Sequence, residues 1–192
     1  MPIRKSQAER RTRTQLALMT AARTLFAAQG YAATSTPDIV AQAGVTRGAL
    51  YHHYADKLAL FEAVVRQEQL LLAMAVNAAM ADLEAGPVKA LVAGGEAVVA
   101  ALQETGRRQI LLVDAPGVLG RERLDALLAE QGLQPLPAAL QTAMDAKAIR
   151  DLAIGPLAQL LTALFERAAL APPEAQEDYR KAIKALIRGL RI

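Results

Sequence analysis

Apolar positions recur at helical spacing along almost the whole chain. Leu16, Met19, Ala22 and Phe26, widened by Leu18 and Leu25, form the core stripe of a first helix, from about Ala8 to Gln29. Gly30 stops it, and Tyr31 is expected to pack back on the next two helices. Thr36 as N-cap and Pro37 at the first helical position open a short second helix. Its apolar face is Ile39, Val40 and Ala43, and Gly44 comes next, where a helix end favours positive φ. Thr46 caps a third helix, Arg47 to about Tyr54, with Leu50 and Tyr54 pointing inward. Asp56 caps a fourth, which opens with Lys57 and reaches about Leu83. Leu60, Phe61, Val64, Val65, Leu71, Leu72 and Met74 predict that this helix is largely buried beyond its first turns. Glu84-Ala85-Gly86-Pro87 ends it.

The helical pattern continues beyond Pro87. Val88 to about Glu104 is one helix, interrupted by Gly94-Gly95, a pair that either admits a close neighbour or kinks the helix. Thr105-Gly106 ends it. Arg107 to Asp114 carries ILLVD, which alone could pass for a parallel strand; among helical neighbours it reads as a buried helix. Ala115 to Gly120 is a break, and its GxLG lacks the spacing and ending of a phosphate loop. Arg121–Gln131 is a short helix ending at Gly132. Another opens at Pro135 and Pro137 and runs to about Lys147. Ala148 to Gly155 is irregular. Two strongly apolar helices close the chain, about 156–171 and 174–190, separated by Pro172-Pro173.

Composition supports an all-α fold. The 192 residues are 53% hydrophobic but only 4% aromatic, so alanine and leucine must fill the core. Residues 1–60 carry eight Lys and Arg against three acids, whereas the remainder carries 14 basic and 16 acidic residues. A basic first third is the footprint of a nucleic-acid-binding module. Arg4, Lys5, Arg10, Arg11 and Arg13 form a basic arm suited to phosphates or to solvent. The chain has no cysteine, no signal-peptide core and no apolar run of the ~18–20 residues a bilayer span needs. A soluble, cytoplasmic protein is expected.

Two short helices joined by a glycine turn make a helix-turn-helix, in which the second helix reads DNA. On a wheel of the reading helix, Gly48, Ala49, Tyr51 and His52 cover the outward arc, with Arg47 on its flank. Small residues at 48 and 49 let the backbone approach a groove. Arg47 matches guanine O6 and N7, Ala49 suits a thymine methyl, and Tyr51, His52 and His53 can donate to phosphates or bases. Lys57 sits at a helix N-terminus, where the dipole disfavours a cation unless an anion is near.

The run AGVTRGALYHHYADKLALF resembles the N-terminal domain of TetR-type transcriptional regulators, with support from ARTLFAAQGYAATSTPDIV upstream. The resemblance covers roughly residues 12–62. One departure is Tyr54, where the family most often has Phe. The run RRQILLVDAPGVLG resembles a segment of the ligand-binding domain in one branch of that family. The resemblance implies phosphate contacts from Thr36 and Lys57. It also implies a homodimer built by the two C-terminal helices, and a small apolar effector in the C-terminal domain. The expected architecture is a helix-turn-helix DNA-binding domain over 1–60 and a larger helical ligand-binding and dimerisation domain over 61–192. The candidate DNA-contacting set is Thr36, Thr46, Arg47, Gly48, Ala49, Tyr51, His52, His53 and Lys57. The expected partner is a double-stranded, pseudo-palindromic operator, with repression as the default mode of control.

Other classes fare worse. The two serines, Ser6 and Ser35, precede the second helix, and both histidines lie on the DNA-facing side of the third. No Ser/His or Cys/His nucleophile pair can be assembled in the C-terminal domain. No third ligand at metal spacing accompanies His52 and His53, so no metal and no cofactor are expected. A helical dimer that binds DNA without an effector is the main alternative. A helical protein-interaction module is a further one, and salt-sensitive DNA binding distinguishes it.

Overall fold

The computed structural model describes residues 7–81, 86–104 and 106–192. Arg4 and Lys5 of the basic arm, the expected helix end at Leu83, the Glu84-Ala85 part of the break and Thr105 lie outside the described residues. Among the described residues the fold is all-α with no strand; a single antiparallel bridge joins Ile149 to Arg191.

Helix α1, Gln7–Ala33, is interrupted at Gly30, whose backbone is non-helical (φ 79, ψ 169); the first run stops there as expected, and a short helical turn follows to Ala33. Helix α2, Thr36–Ala43, is capped by Ser35, not by Thr36. The Ser35 hydroxyl accepts from the Asp38 N–H at 3.3 Å, and the Asp38 carboxylate accepts from the Ser35 N–H at 3.2 Å. This reciprocal box satisfies two donors that Thr36 could not. Pro37 is therefore the second helical residue. Helix α3, Arg47–His53, and helix α4, Lys57–Met80, have the expected caps: Thr46 Oγ1 accepts from Ala49 N–H, and Asp56 Oδ1 from Ala59 N–H.

Helix α5 spans Pro87–Leu102 without a kink. Its two central glycines are close-approach positions. A Cβ on Gly94 would stand 2.6 Å from Met80 Sδ, and one on Gly95 would stand 2.7 Å from Phe165 Cε1. The ILLVD run is helical but wound as a π-helix, Gln109–Asp114, with the Ala115 N–H reaching back five residues to the Ile110 carbonyl. The expected break at 115–120 is instead helix α6, Ala115–Leu119. The π-helix runs into α6 through helical Asp114 and Ala115, so Pro116 lies inside a continuous helical run and removes one backbone donor from it. Only Gly120 (φ 79) breaks the chain. Helices α7, Arg121–Glu130, α8, Pro135–Asp145, α9, Ile154–Ala169, and α10, Gln176–Arg188, complete the bundle. Glu174 lies in a short 3-10 turn, Pro173–Ala175, ahead of α10.

Two apolar cores result. The first joins Leu18, Phe26, Ile39, Leu50, Leu60 and Phe61 to Ile110, Leu111, Ala115, Leu124 and Leu127. It therefore crosses the expected boundary at residue 60. The second gathers α5, α8, α9 and α10 around Leu91, Leu140, Leu161, Phe165 and Ile187. Three residues expected in the core are outside it: Leu16 is 62% exposed, Leu71 39% and Met74 58%. Leu16 lies about 200° round the wheel from Leu18, which fixes the buried face. On α4 the buried face runs through Val64, Val65, Glu68, Gln69, Ala73 and Val76. Glu68 is accommodated there by Arg23 at 2.7 Å and Arg107 at 2.8 Å.

Candidate DNA-binding site

The turn between α2 and α3 is set by Gly44, which adopts the left-handed conformation (φ 64, ψ 34). Its N–H bonds the Ala41 carbonyl, and the Val45 N–H bonds the Val40 carbonyl at 3.1 Å. These bonds satisfy the last carbonyls of α2 and aim the chain into α3. Ile39 and Leu50 are fully buried beneath the two helices, and Tyr54 closes the end of α3. The inward stripe is thus consumed by packing, and the opposite arc is free.

That arc carries most of the predicted set. Thr46, Arg47, Gly48, Tyr51 and His52 are exposed; Ala49 and His53 are half-buried at its margins. A Cβ added to Gly48 would meet nothing closer than Thr46 Oγ1 at 4.0 Å. The fold therefore does not need glycine there, and its effect is to lower the profile of the exposed face. Arg47 and Tyr51, one turn apart, form a pair. The guanidinium carbon stands 5.6 Å from the ring centroid, and Nη2 donates to Tyr51 Oη at 3.4 Å. The pair limits the wandering of a long cationic side chain at the surface.

His52 and His53 end α3, where the helix dipole favours positive charge. Their rings meet edge to face at 5.5 Å. Burial, then the neighbouring His52 and Arg11, hold the His53 imidazole below its ordinary value. Among the described residues no group of three His, Asp or Glu side chains is arranged to hold a metal.

Thr36 and Lys57 stand apart from this arc. Thr36 is half-buried in the first turn of α2, beside the exposed cap Ser35. Lys57 Nζ donates to the Tyr31 and Thr34 carbonyls, each at 2.9 Å, and lies 4.0 Å above the Tyr31 ring. Carbonyl oxygens and an aromatic face thus supply the negative partner that dipole reasoning demanded. One ammonium donor remains for another acceptor. Tyr31 packs against the first core, with its ring 5.8 Å from Phe26 of α1 and 4.8 Å from Phe61 of α4. Sequence reasoning missed Ser35 as an exposed hydroxyl at the α2 N-terminus. The S-x-x-D spacing was the available signal.

Residues 18–64 match the family described as bacterial regulatory proteins, tetR family, and residues 88–191 match the tetracyclin repressor-like C-terminal domain. The HTH-type transcriptional repressor BepR of Brucella suis biovar 1 (strain 1330) is 35% identical over 75 residues, 36% of this chain and 35% of that protein. The HTH-type transcriptional regulator CymR of Pseudomonas putida is 44% identical over 59 residues, 31% of this chain and 29% of that protein. These matches thus span about a third of the relatives' length. A TetR-family transcriptional regulator from Pectobacterium atrosepticum, solved by crystallography, superposes with a TM-score of 0.79. The two are 27% identical, and the superposition covers 98% of each chain.

Proposed function

The chain belongs to the tetR family and is a DNA-binding transcriptional regulator rather than an enzyme; from that premise we propose that it acts as a homodimer on a pseudo-palindromic operator and represses transcription. The observation that carries the dimer is an unpartnered apolar stripe on α9 and α10. Leu160, Leu164 and Leu186 are 65%, 36% and 53% exposed, although the opposite faces of the same helices fill the second core. Two copies joined there place two α3 helices on one face of a duplex, one helical turn apart. Arg47 reads a guanine in each half-site. Gly48 and Ala49 let the backbone into the groove. Tyr51, His52 and His53 contact bases or phosphates, while Thr36, Thr46 and Lys57 contact phosphates.

The match of residues 88–191 to a tetracyclin repressor-like domain supports a small apolar effector that shifts the dimer away from its DNA-competent form. A second reading is DNA binding without an effector. Two hollows, one between α1 and α2 and one beside the α6–α7 corner, are open depressions.

Selection of bound duplexes from a random pool, at physiological salt with the purified protein, tests the proposal. Enrichment of an inverted repeat is the expected result. Binding that merely fades with salt, with no enriched sequence, overturns operator recognition.

A further inference from the structure

The corner between α5 and α6 touches the N-terminal domain through the first core and, beside it, through a small set of polar atoms. Tyr31 opens the short turn beyond the bend of α1, where backbone N–H groups have no carbonyl of their own turn to meet. Its N–H donates to Asp114 Oδ2 at 3.0 Å, across 83 residues of sequence. The other carboxylate oxygen, Oδ1, accepts from Gln109 Nε2 at 3.2 Å. Both side chains belong to the π-helical segment, whose wide winding departs from the surrounding α-helices. A π-helix often marks a functional position.

The fit around this contact is close. A Cβ on Gly30 would lie 3.4 Å from both Asp114 oxygens and from Gln109 Nε2. Gly106, at φ +85, rests directly on Ala27 of α1. The backbone of Tyr31 is then held from both ends: its N–H by Asp114, its carbonyl by Lys57. Lys57 also holds the Thr34 carbonyl, one residue before Ser35, the cap of α2. A continuous path of hydrogen bonds runs from the C-terminal domain to the N-terminus of the helix-turn-helix.

We propose that Asp114 is a positioning residue for DNA binding. Its carboxylate fixes the α1–α2 corner from the C-terminal domain, and so sets how α2 and α3 present themselves to DNA. This role rests on the DNA face assigned to α3. A shift of the π-helical segment moves that corner directly, because Ile110, Leu111 and Ala115 seat the segment in the first core and the Asp114–Tyr31 bond fixes the corner to it at one defined point.

The test uses the full chain and the duplex enriched by the selection, or the random pool at low salt if none is enriched. Affinity is expressed per active dimer, and amide exchange of the free protein is followed over residues 30–40. Asp114→Ala is expected to weaken binding by roughly two- to thirtyfold and to speed exchange over residues 30–40. Asp114→Asn, whose amide oxygen still accepts from the Tyr31 N–H, is expected to restore both. A purely structural role would lower the melting temperature and the active fraction but leave affinity per active dimer and local exchange as in the parent, and that result overturns the proposal. If Asp114→Ala does not fold, Gln109→Ala loosens the carboxylate while sparing its bond to Tyr31. A smaller loss in the same direction is then expected, and parental affinity overturns the proposal. Faster exchange in Asp114→Ala, with DNA affinity untouched by both it and Arg47→Ala, would refute the DNA face and leave the corner contact standing.

Discussion

Arg47 and Lys57 are both cations on the same small domain, but their surroundings assign them different work. Arg47 is exposed and, among the described residues, held by Tyr51, so its guanidinium is available to base edges. Arg47→Ala is expected to cost ~1–3 kcal/mol of specific affinity and to relax one operator position, as read by titrating single-base operator variants. Lys57 is tied to two backbone carbonyls. Lys57→Ala is expected to weaken binding to all duplexes alike and also to destabilise the free domain by about 1–3 kcal/mol, because charge-assisted bonds are lost. Denaturation of the free protein separates the two contributions; unchanged stability would mean the carbonyl contacts carry nothing. Single-residue signals are legible where the chemistry is local. Gly44, Thr46 and Asp56 each do what their types suggest. Ser35 is hidden because Thr36 is an equally good cap by type, and only the carboxylate of Asp38 three residues beyond Ser35 distinguishes them.

At the scale of elements, periodicity locates the long helices but not always their buried faces. On α4, Leu60, Phe61, Val64 and Val65 are buried, yet the face continues through Glu68 and Gln69 while Leu70, Leu71 and Met74 turn outward. An acidic residue in a helix normally reads as solvent-facing. Its partners lie 45 and 39 positions away in sequence, so no local pattern could reveal the pairing. Arg107 is only 4% exposed and has Glu68 as its buried counter-charge, beside the exposed Glu104 at 3.1 Å. Glu68→Ala is therefore expected to destabilise the fold by up to about 3 kcal/mol, since the buried guanidinium keeps only the exposed Glu104 as counter-charge. Chemical denaturation measures this, and a loss below ~1 kcal/mol would show that the pair is dispensable. The ILLVD segment shows the same limit. Its burial and helicity are readable from composition and neighbours, but the π-winding that turns Asp114 toward Tyr31 has no sequence signature of its own.

At the scale of the molecule, the first core ties the helix-turn-helix to residues 102–127, so the two halves are not joined by one helix alone. The proposed homodimer needs an exposed surface that joins two copies. Two apolar stripes compete: Leu160, Leu164 and Leu186 on α9 and α10, and Leu70, Leu71 and Met74 on α4. Both are exposed leucine-rich faces, and burying one leucine contributes roughly 1.5–3 kcal/mol, so either could contribute to association. The first stripe spans two adjacent helices, a broader face on which a two-fold interface can be built. The second lies along one helix. Leu160→Glu with Leu186→Glu should therefore give a monomer by sedimentation, with helical content retained and operator affinity reduced to that of a single half-site. Leu71→Glu should leave the dimer and its operator affinity intact. The opposite pattern would move the dimer axis to α4, change the spacing of the two α3 helices, and require a different half-site separation in the selected duplexes.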